Sequence, residues 1–184
     1  MRTFFLCFFL FFSPVLLLTN TSTSCYAASA VELNAEADAT LKVFYAKVGA
    51  AKALTEKSQG LLVFPAVYKA GFGVGAEYGE GVLRISGKTV DYYSTAGASI
   101  GFQLGAQKKS IVILFMTDEA LKKFRASQGW EVGVDGSVAL VEFGVGKEID
   151  TTNIKDPIIG FVFGNKGLMY NLSLEGSKLT KITK

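Results

Sequence analysis

The stretch Gly71-Phe72-Gly73-Val74-Gly75-Ala76-Glu77-Tyr78-Gly79 alternates glycine with larger, mostly apolar side chains. Alternate residues of a β-strand point to opposite faces, so this stretch predicts a strand with one apolar face and one nearly bare face. A similar alternation returns in Gly97 to Gly105. The bare faces, called here the glycine faces, contain Gly71, Gly73, Gly75, Gly97, Gly101 and Gly105. Because glycine weakens a strand interior by roughly 0.5–1 kcal/mol, its repetition predicts a sharp bend or a close neighbour at the backbone.

The N-terminus has the composition of a secretory signal peptide. Arg2 precedes an apolar run from Phe4 to Phe12, and small residues surround Ala27 to Ala30. Pro14 interrupts the run, which is shorter than the roughly 20 apolar residues of a spanning helix. We therefore predict that residues 1–30 are a signal peptide cleaved near Ala27 to Ala30, and that the protein is secreted to the periplasm or stays associated with the cell envelope.

Composition limits the chemistry of the mature chain. The sequence has no histidine, and both of its cysteines, Cys7 and Cys25, lie in the predicted leader. A Ser-His-Asp or Cys-His nucleophile and a typical zinc site are therefore excluded. We predict a protein that is not an enzyme and needs no cofactor or metal. The net charge of +3 is too small to indicate a nucleic-acid partner.

Residues 31–184 are predicted to form one domain of the α+β class. Apolar residues from Leu33 to Ala51 follow helical spacing, which predicts an amphipathic helical segment over 31–58, broken near Gly49 and packed on a sheet. Residues 59–184 form the β-rich body, in which short connections predict about eight mostly antiparallel strands. The glycine repeats predict strong curvature, giving a barrel- or sandwich-like sheet.

Local signals place several elements of this body. Pro65 is predicted to end a strand over Leu61 to Phe64. Turns are predicted at Gly79–Gly81, Ser86–Lys88 and Lys108–Lys109. The continuous apolar run Ile111 to Met116 is typical of a strand covered on both faces. The cap Thr117, an acidic first turn and a basic last turn predict a helix over about 117–127.

The C-terminal part is predicted to return to β structure. Trp130 to Val134 and Val138 to Val145 read as two strands joined by a hairpin at Asp135-Gly136. Ile158 to Phe163 reads as a further buried strand.

Three separated motifs resemble the SYLF domain, over about residues 59–177. They are Gly60-Leu61 with Lys69-Ala70-Gly71-Phe72, Ile111-Val112-Ile113-Leu114 with Ala120-Leu121-Lys122-Lys123-Phe124, and Lys166-Gly167-Leu168 with Ser173-Leu174-Glu175-Gly176-Ser177. The chain resembles an exported, bacterial-type member of this family, a lipid-binding module also described as an actin-regulator domain in eukaryotic members. The resemblance implies binding to membrane lipids, phosphoinositides in eukaryotic members, and no catalysis.

Two departures change the expected ligand and partners. Eukaryotic members bind lipid through a basic segment ahead of the domain, whereas Val31 to Asp38 is acidic here. Export also separates the protein from actin and from cytosolic phosphoinositides, so actin is not an expected partner. The hypothesis is therefore a non-enzymatic, membrane-associated protein of the envelope that binds phospholipid or another amphiphile. The alternative is a structural module that binds another envelope protein or self-associates through a sheet edge.

Basic residues at predicted strand ends and turns are the candidates for lipid head-group contacts. They are Lys69, Arg84, Lys88, Lys108, Lys109, Lys147 and Lys166. A lysine in a turn usually contacts only solvent, and this alternative interpretation stays open for each of these residues. The glycine faces offer a second kind of site, since either an acyl chain or the Leu33 to Ala51 stripe would fit against a bare backbone.

Overall fold

The computed structural model describes residues 28–140, 155–164, 167–168, 174 and 176–184, and for residues 71–74, 99–106 and 167–168 it describes the backbone alone. The helices of this part of the chain are α1 (Ala30–Lys47), α2 (Ala51–Lys57) and α3 (Asp118–Ala126). Its strands are β1 (Gly60–Ile85), β2 (Lys88–Phe115), β3 (Trp130–Glu131), β4 (Ala139–Leu140), β5 (Ile158–Gly164), β6 (Gly167–Leu168) and β7 (Lys178–Ile182).

These strands belong to one seven-stranded sheet. Its main path runs β3-β7-β2-β5-β4, while β1 pairs with β2 and β6 pairs with β5. The pairings between them are antiparallel except for that of β4 with β5. The sheet curls, which confirms the predicted α+β class with a mostly antiparallel, strongly curved sheet. About eight strands are predicted for the whole domain, and the described residues form seven of them.

One very long hairpin dominates the sheet. β1 has 26 residues and β2 has 28, and they pair from Gly60 with Phe115 to Ile85 with Lys88. Ser86 and Gly87 both have positive φ, of 50° and 75°, as a two-residue hairpin turn requires. The turn predicted at Ser86–Lys88 is therefore confirmed, whereas those predicted at Gly79–Gly81 and Lys108–Lys109 are wrong, because both segments lie inside strands.

Pro65 does not end β1, so the predicted stop there is also wrong. The pairing register shifts between Phe64 and Val67. Pro65, which has no N–H to donate to the neighbouring strand, lies within this irregularity. The Ser110 hydroxyl donates to the Pro65 carbonyl oxygen at 2.7 Å. The strand therefore continues through the proline.

Glycine allows β1 to pass close to its own first part. A Cβ atom on Gly79 would lie 2.6 Å from the Ala66 carbonyl oxygen, and one on Gly81 would lie 2.5 Å from the Val63 carbonyl oxygen. Real Cβ atoms essentially never approach so closely. At these two glycines, neither of which belongs to the six predicted glycine-face positions, the close neighbour is strand β1 itself.

Both faces of the sheet are covered where the hairpin meets β5. Residues 112 and 114 pack towards the apolar face of α1 and α2, which includes Leu33 and Phe44. Residues 111, 113 and 115 pack on the other side, against Leu121, Phe124 and Trp130. The prediction that this run is covered on both faces is confirmed, as is the packing of the N-terminal helical segment on a sheet.

The helix boundaries follow the sequence signals. The break predicted near Gly49 separates α1 from α2. The Thr117 hydroxyl accepts from the backbone N–H of Ala120 at 3.3 Å, which caps α3 as predicted. Acidic residues occupy the first turn of α3 and basic residues the last.

The hairpin predicted at Asp135-Gly136 is not formed as expected. β3 is only two residues long and pairs with β7, and the Asp135 carboxylate accepts from the Glu131 backbone N–H at 2.7 Å in a local turn. Of the predicted strand over residues 138–145, residues 139–140 form β4, which pairs in parallel with β5, while residues 141–145 lie outside the described residues. The predicted strand from Ile158 is confirmed as β5.

Candidate functional site

The candidate basic residues do not form one patch. Lys108 is exposed in the middle of β2, with its Nζ 5.5 Å from the centre of the Tyr68 ring, and Lys69 is half-buried on β1 beside Tyr68. Lys88 is exposed at the hairpin turn. Lys147 and Lys166 lie outside the described residues.

Arg84 is mostly buried near the hairpin turn and faces α1. Its side chain is 14% exposed, and its Nη1 donates to the Asp38 carboxylate at 2.6 Å. Its Nη2 donates to the Asn34 carbonyl oxygen at 3.4 Å. The Asn34 side chain also accepts from the Thr89 hydroxyl at 2.6 Å, so α1 is tied to both strands of the hairpin.

Lys109 is not at a turn and does not face solvent, which corrects its predicted position. Its ammonium donates to the Glu77 carboxylate at 2.8 Å, and the two side chains are 6% and 7% exposed. The Ser177 hydroxyl donates to the other Glu77 oxygen at 3.2 Å. A Cβ on Gly97 would lie 3.3 Å from both Glu77 and Ser177. This glycine-face position is therefore filled by a buried polar cluster of Glu77, Lys109 and Ser177.

The apolar side of the glycine repeat faces outward where its side chains are described. Ala76 pairs with Ala98 and Tyr78 with Ala96, and these four residues are exposed, Tyr78 by 53%. Further along the same strand, Tyr68 is 57% exposed and Ala70 is exposed too. We call the outward side of the curled hairpin the outer hairpin face; Tyr68 and Ala70 lie on one part of it, and Ala76, Tyr78, Ala96 and Ala98 lie on another. By contrast, Glu77 and Gly79 are buried, because the bare side of the strand turns towards the interior.

Asp91 forms a second buried charge centre beneath α3. Its carboxylate is 8% exposed and accepts from Arg125 Nη2 at 3.0 Å and Nε at 3.1 Å, while Lys181 pairs with its other oxygen. Nearby, the pKa of Tyr93 is raised to about 12. Burial is the largest cause, the Asp91 carboxylate adds to the increase, and the Arg125 cation opposes it. The Tyr93 hydroxyl is buried and has no hydrogen-bond partner within the described part of the chain.

Tyr93→Phe is expected to stabilise the protein by about 1 kcal/mol at pH 7, because it removes a buried hydroxyl that lacks a partner. In the wild type the folded pKa lies above the unfolded value near 10, so the neutral tyrosine contributes stability fully below pH 10. That contribution is lost as the pH rises towards 12. Urea unfolding between pH 8 and pH 12 should show a smaller alkaline loss in Tyr93→Phe, and equal losses in both proteins would contradict the assignment.

The described residues do not show a catalytic or metal constellation. No group of three or more His, Cys, Asp or Glu side chains among them could hold a metal ion. In the same part of the chain, no helix combines the length and the apolar character that crossing a bilayer requires. The described residues present exposed tyrosines and alanines on the outer hairpin face and two carboxylates, those of Glu77 and Asp91, buried in ion pairs.

Comparison with known proteins identifies the family of the chain. The family model described as "Ysc84: Las17-binding protein actin regulator" matches residues 96–184. The chain is also similar to the Xenopus laevis "SH3 domain-containing YSC84-like protein 1", with 30% identity over 128 residues. That alignment covers 67% of this chain and 38% of the relative. The chain belongs to the Ysc84 family of SYLF domains, as its motifs predicted.

The sequence analysis did not predict two features of the candidate site. Ser177 was part of a recognised motif, but its hydrogen bond to Glu77 joins residues 100 positions apart. The outward orientation of Tyr68 and Tyr78 was also missed, because a period of two assigns residues to opposite faces without saying which face is inside. The burial of Glu77 could be suspected only from its place among the glycines.

Proposed function

We propose that this protein is a non-enzymatic, lipid-binding protein of the cell envelope that contacts phospholipid through the outer hairpin face. The observation that carries the proposal is the exposure of Tyr68 and Tyr78 beside several exposed alanines. Tyrosine favours the membrane interface, where its ring enters the apolar boundary and its hydroxyl stays hydrated. Membership in a family of binding domains supports a non-catalytic role.

Lys108 suits the same surface. Its side chain is exposed, and its ammonium lies over the Tyr68 ring. A lysine of this kind can place its stem against lipid while its charge stays at the head groups. Each lysine near an anionic bilayer contributes about 1 kcal/mol.

The vesicle test uses the mature protein, expressed with its own leader and purified after cleavage. We expect flotation with phosphatidylcholine vesicles and stronger flotation when phosphatidylglycerol is included. Tyr68→Ser combined with Tyr78→Ser is expected to weaken binding to both vesicles about tenfold, or about 1.4 kcal/mol. Lys108→Ala is expected to weaken only the anionic case, by about fivefold.

Val134→Ser is the matched control for the tyrosine variants. Val134 is 74% exposed but lies in the turn after β3, away from the hairpin. Its substitution should leave flotation unchanged. If the wild type floats with neither vesicle and native mass spectrometry shows no copurifying lipid, lipid binding is refuted. A concentration-dependent dimer under those conditions would favour the alternative interaction module.

We also propose export with cleavage immediately before Ala28. Two contacts support this position over cleavage after Ala30. The Ser29 hydroxyl accepts from the Glu32 backbone N–H at 3.2 Å, and Glu32 accepts in return from the Ser29 N–H, a capping box that starts α1. Lys184 Nζ donates to the Ala28 carbonyl oxygen at 2.8 Å. The protein recovered from an envelope fraction should have the mass of residues 28–184, and a mass beginning at residue 31 would contradict the proposed site.

A further inference from the structure

The outward side of the long hairpin continues through its centre, between the two parts of the outer hairpin face. On β1 the even-numbered positions 68, 70, 76 and 78 are exposed, and on β2 the even-numbered positions 96, 98 and 108 are exposed. Because alternate residues of a strand lie on the same side, the even-numbered positions between them belong to that side as well. The pairing agrees, since β2 advances by an even number of residues between the partners of Gly71 and Gly73, which are Gly105 and Gly101.

The sequence makes this central part of the outward side apolar. We call residues 72–74 of β1 and 100–104 of β2 the hairpin centre. Val74 and Ile100 are register partners there, two positions along from the exposed pair Ala76 and Ala98. A cluster of apolar residues on an outward side marks a site of contact with a partner or a membrane. The even-numbered residues of the hairpin centre are Phe72, Val74, Ile100, Phe102 and Leu104.

The helical segment covers the same side of the hairpin only nearer to its ends. Val82 of β1 and Val112 and Leu114 of β2 also have even numbers, and they pack with the apolar residues of α1 and α2. Along β1, the exposed fraction rises from 0% at Val82 to 53% at Tyr78. The cover that the helices provide therefore ends before Tyr78, and the hairpin centre lies beyond it.

The residues that border the hairpin centre favour a lipid bilayer as its occupant. Tyr68 precedes Phe72 by four residues and Tyr78 follows Val74 by four, so an exposed tyrosine lies about 13 Å along the strand on each side. Among the exposed even-numbered positions that border the centre, the charged residue is Lys108, whose cation is complementary to anionic head groups. Tyrosine and lysine at the border of an apolar zone are typical of a membrane interface.

We infer that the hairpin centre enters the bilayer and places its apolar residues among the acyl chains, while Tyr68, Tyr78 and Lys108 stay at the head groups. Open sheet edges do not occur in the hydrocarbon region, so the backbone of the two strands stays near head-group depth. Insertion is therefore shallow, about 5–10 Å, as for other amphipathic segments that lie in the interface. The inference rests on the proposed function and names the part of the lipid, its acyl chains, that this part of the surface contacts.

A tryptophan at position 102 measures the insertion. The mature Phe102→Trp variant is mixed with vesicles of phosphatidylcholine and phosphatidylglycerol whose acyl chains carry bromine. We expect its emission to shift to shorter wavelengths on binding and to be quenched by the bromine. The native Trp130 is 2% exposed, so its emission should not respond to the vesicles. Val134→Trp is the matched control, because Val134 is 74% exposed in the turn after β3 and its tryptophan should not be quenched.

A pair of threonines tests the apolar contact without changing the strand. Val74→Thr combined with Ile100→Thr keeps β-branched side chains, which suit a strand, and is expected to weaken flotation about tenfold. The thermal midpoint without vesicles should stay close to the wild-type value, because both positions lie on the outward side. Val74→Ile combined with Ile100→Val keeps both positions apolar and should float like the wild type. A midpoint that falls strongly in the threonine pair would assign these residues to the protein core and overturn the inference.

The possible results separate insertion from lipid binding as such. If the wild type floats but Phe102→Trp is quenched no more than Val134→Trp, insertion is refuted while the proposed lipid binding stands. If the wild type floats with neither neutral nor anionic vesicles, both the inference and the proposed function fail. If the threonine pair instead abolishes a concentration-dependent dimer in lipid-free solution, the occupant is a second copy of the chain and the inference is overturned.

Discussion

Lys109→Met is expected to lower the free energy of unfolding by about 3–5 kcal/mol, because it leaves the Glu77 carboxylate buried without its cation. The two side chains are 6% and 7% exposed and are joined at 2.8 Å, so water cannot readily replace the lost partner. Ser177 would remain as a donor to Glu77, but a hydroxyl does not neutralise a charge. Urea unfolding at pH 7 measures the loss.

A double-mutant cycle separates the pair from its surroundings. Glu77→Leu alone should also destabilise strongly, because Lys109 is then the uncompensated buried charge. The double variant Glu77→Leu with Lys109→Met should recover most of the stability, since replacing a buried ion pair by apolar side chains of similar size is often neutral. Additive losses in the double variant would show that the two charges do not depend on each other.

Gly81→Ala is expected to destabilise the protein by about 3 kcal/mol through overpacking. The added Cβ would lie 2.5 Å from the Val63 carbonyl oxygen and 2.6 Å from the Phe64 ring, and the backbone oxygen cannot be moved by rotating a side chain. Thermal or urea unfolding is the measurement. The effect would report directly on the close approach of the two parts of β1.

Gly49→Ala is the control for this substitution. Gly49 lies between α1 and α2, and a Cβ placed there meets nothing within 4 Å. Its φ is not positive, so alanine is compatible with the backbone and stability should change by less than about 1 kcal/mol. A loss at Gly49 as large as that at Gly81 would mean that glycine content, and not close approach, determines the cost.

Local signals in the sequence predicted the parts of the fold that depend on local physics. Thr117 and the charges that follow it define α3, because capping and dipole effects act within one turn. The pattern of residues 111–116 likewise predicted burial on both faces. Gly79–Gly81 and Pro65 misled the prediction, because residues that usually end strands here allow one continuous strand to bend and approach itself.

The candidate site was less predictable than the fold. The sequence around Lys109 resembles a turn. The lysine is nevertheless buried, and its ammonium pairs with Glu77, which lies 32 residues away on the paired strand β1. Arg84 is predicted as a head-group contact because it is basic and lies near a turn, but its contact with Asp38 depends on how α1 packs over β1. Such contacts depend on how distant parts of the chain pack together, and the periodicity of residues along one strand does not predict that packing.

The position of β7 has a consequence for the order in which the chain can become native. This strand, formed by residues 178–182, lies between β3 and β2, which are formed far earlier in the sequence. Trp130 on β3 pairs with Leu179, so β3 has no place in the sheet until β7 has been synthesised. Closure of such distant pairs is slow, because the entropy of long loops must be overcome first. A nascent chain therefore cannot complete this sheet before residues 178–182 have been added, although β1 and β2 have been synthesised long before.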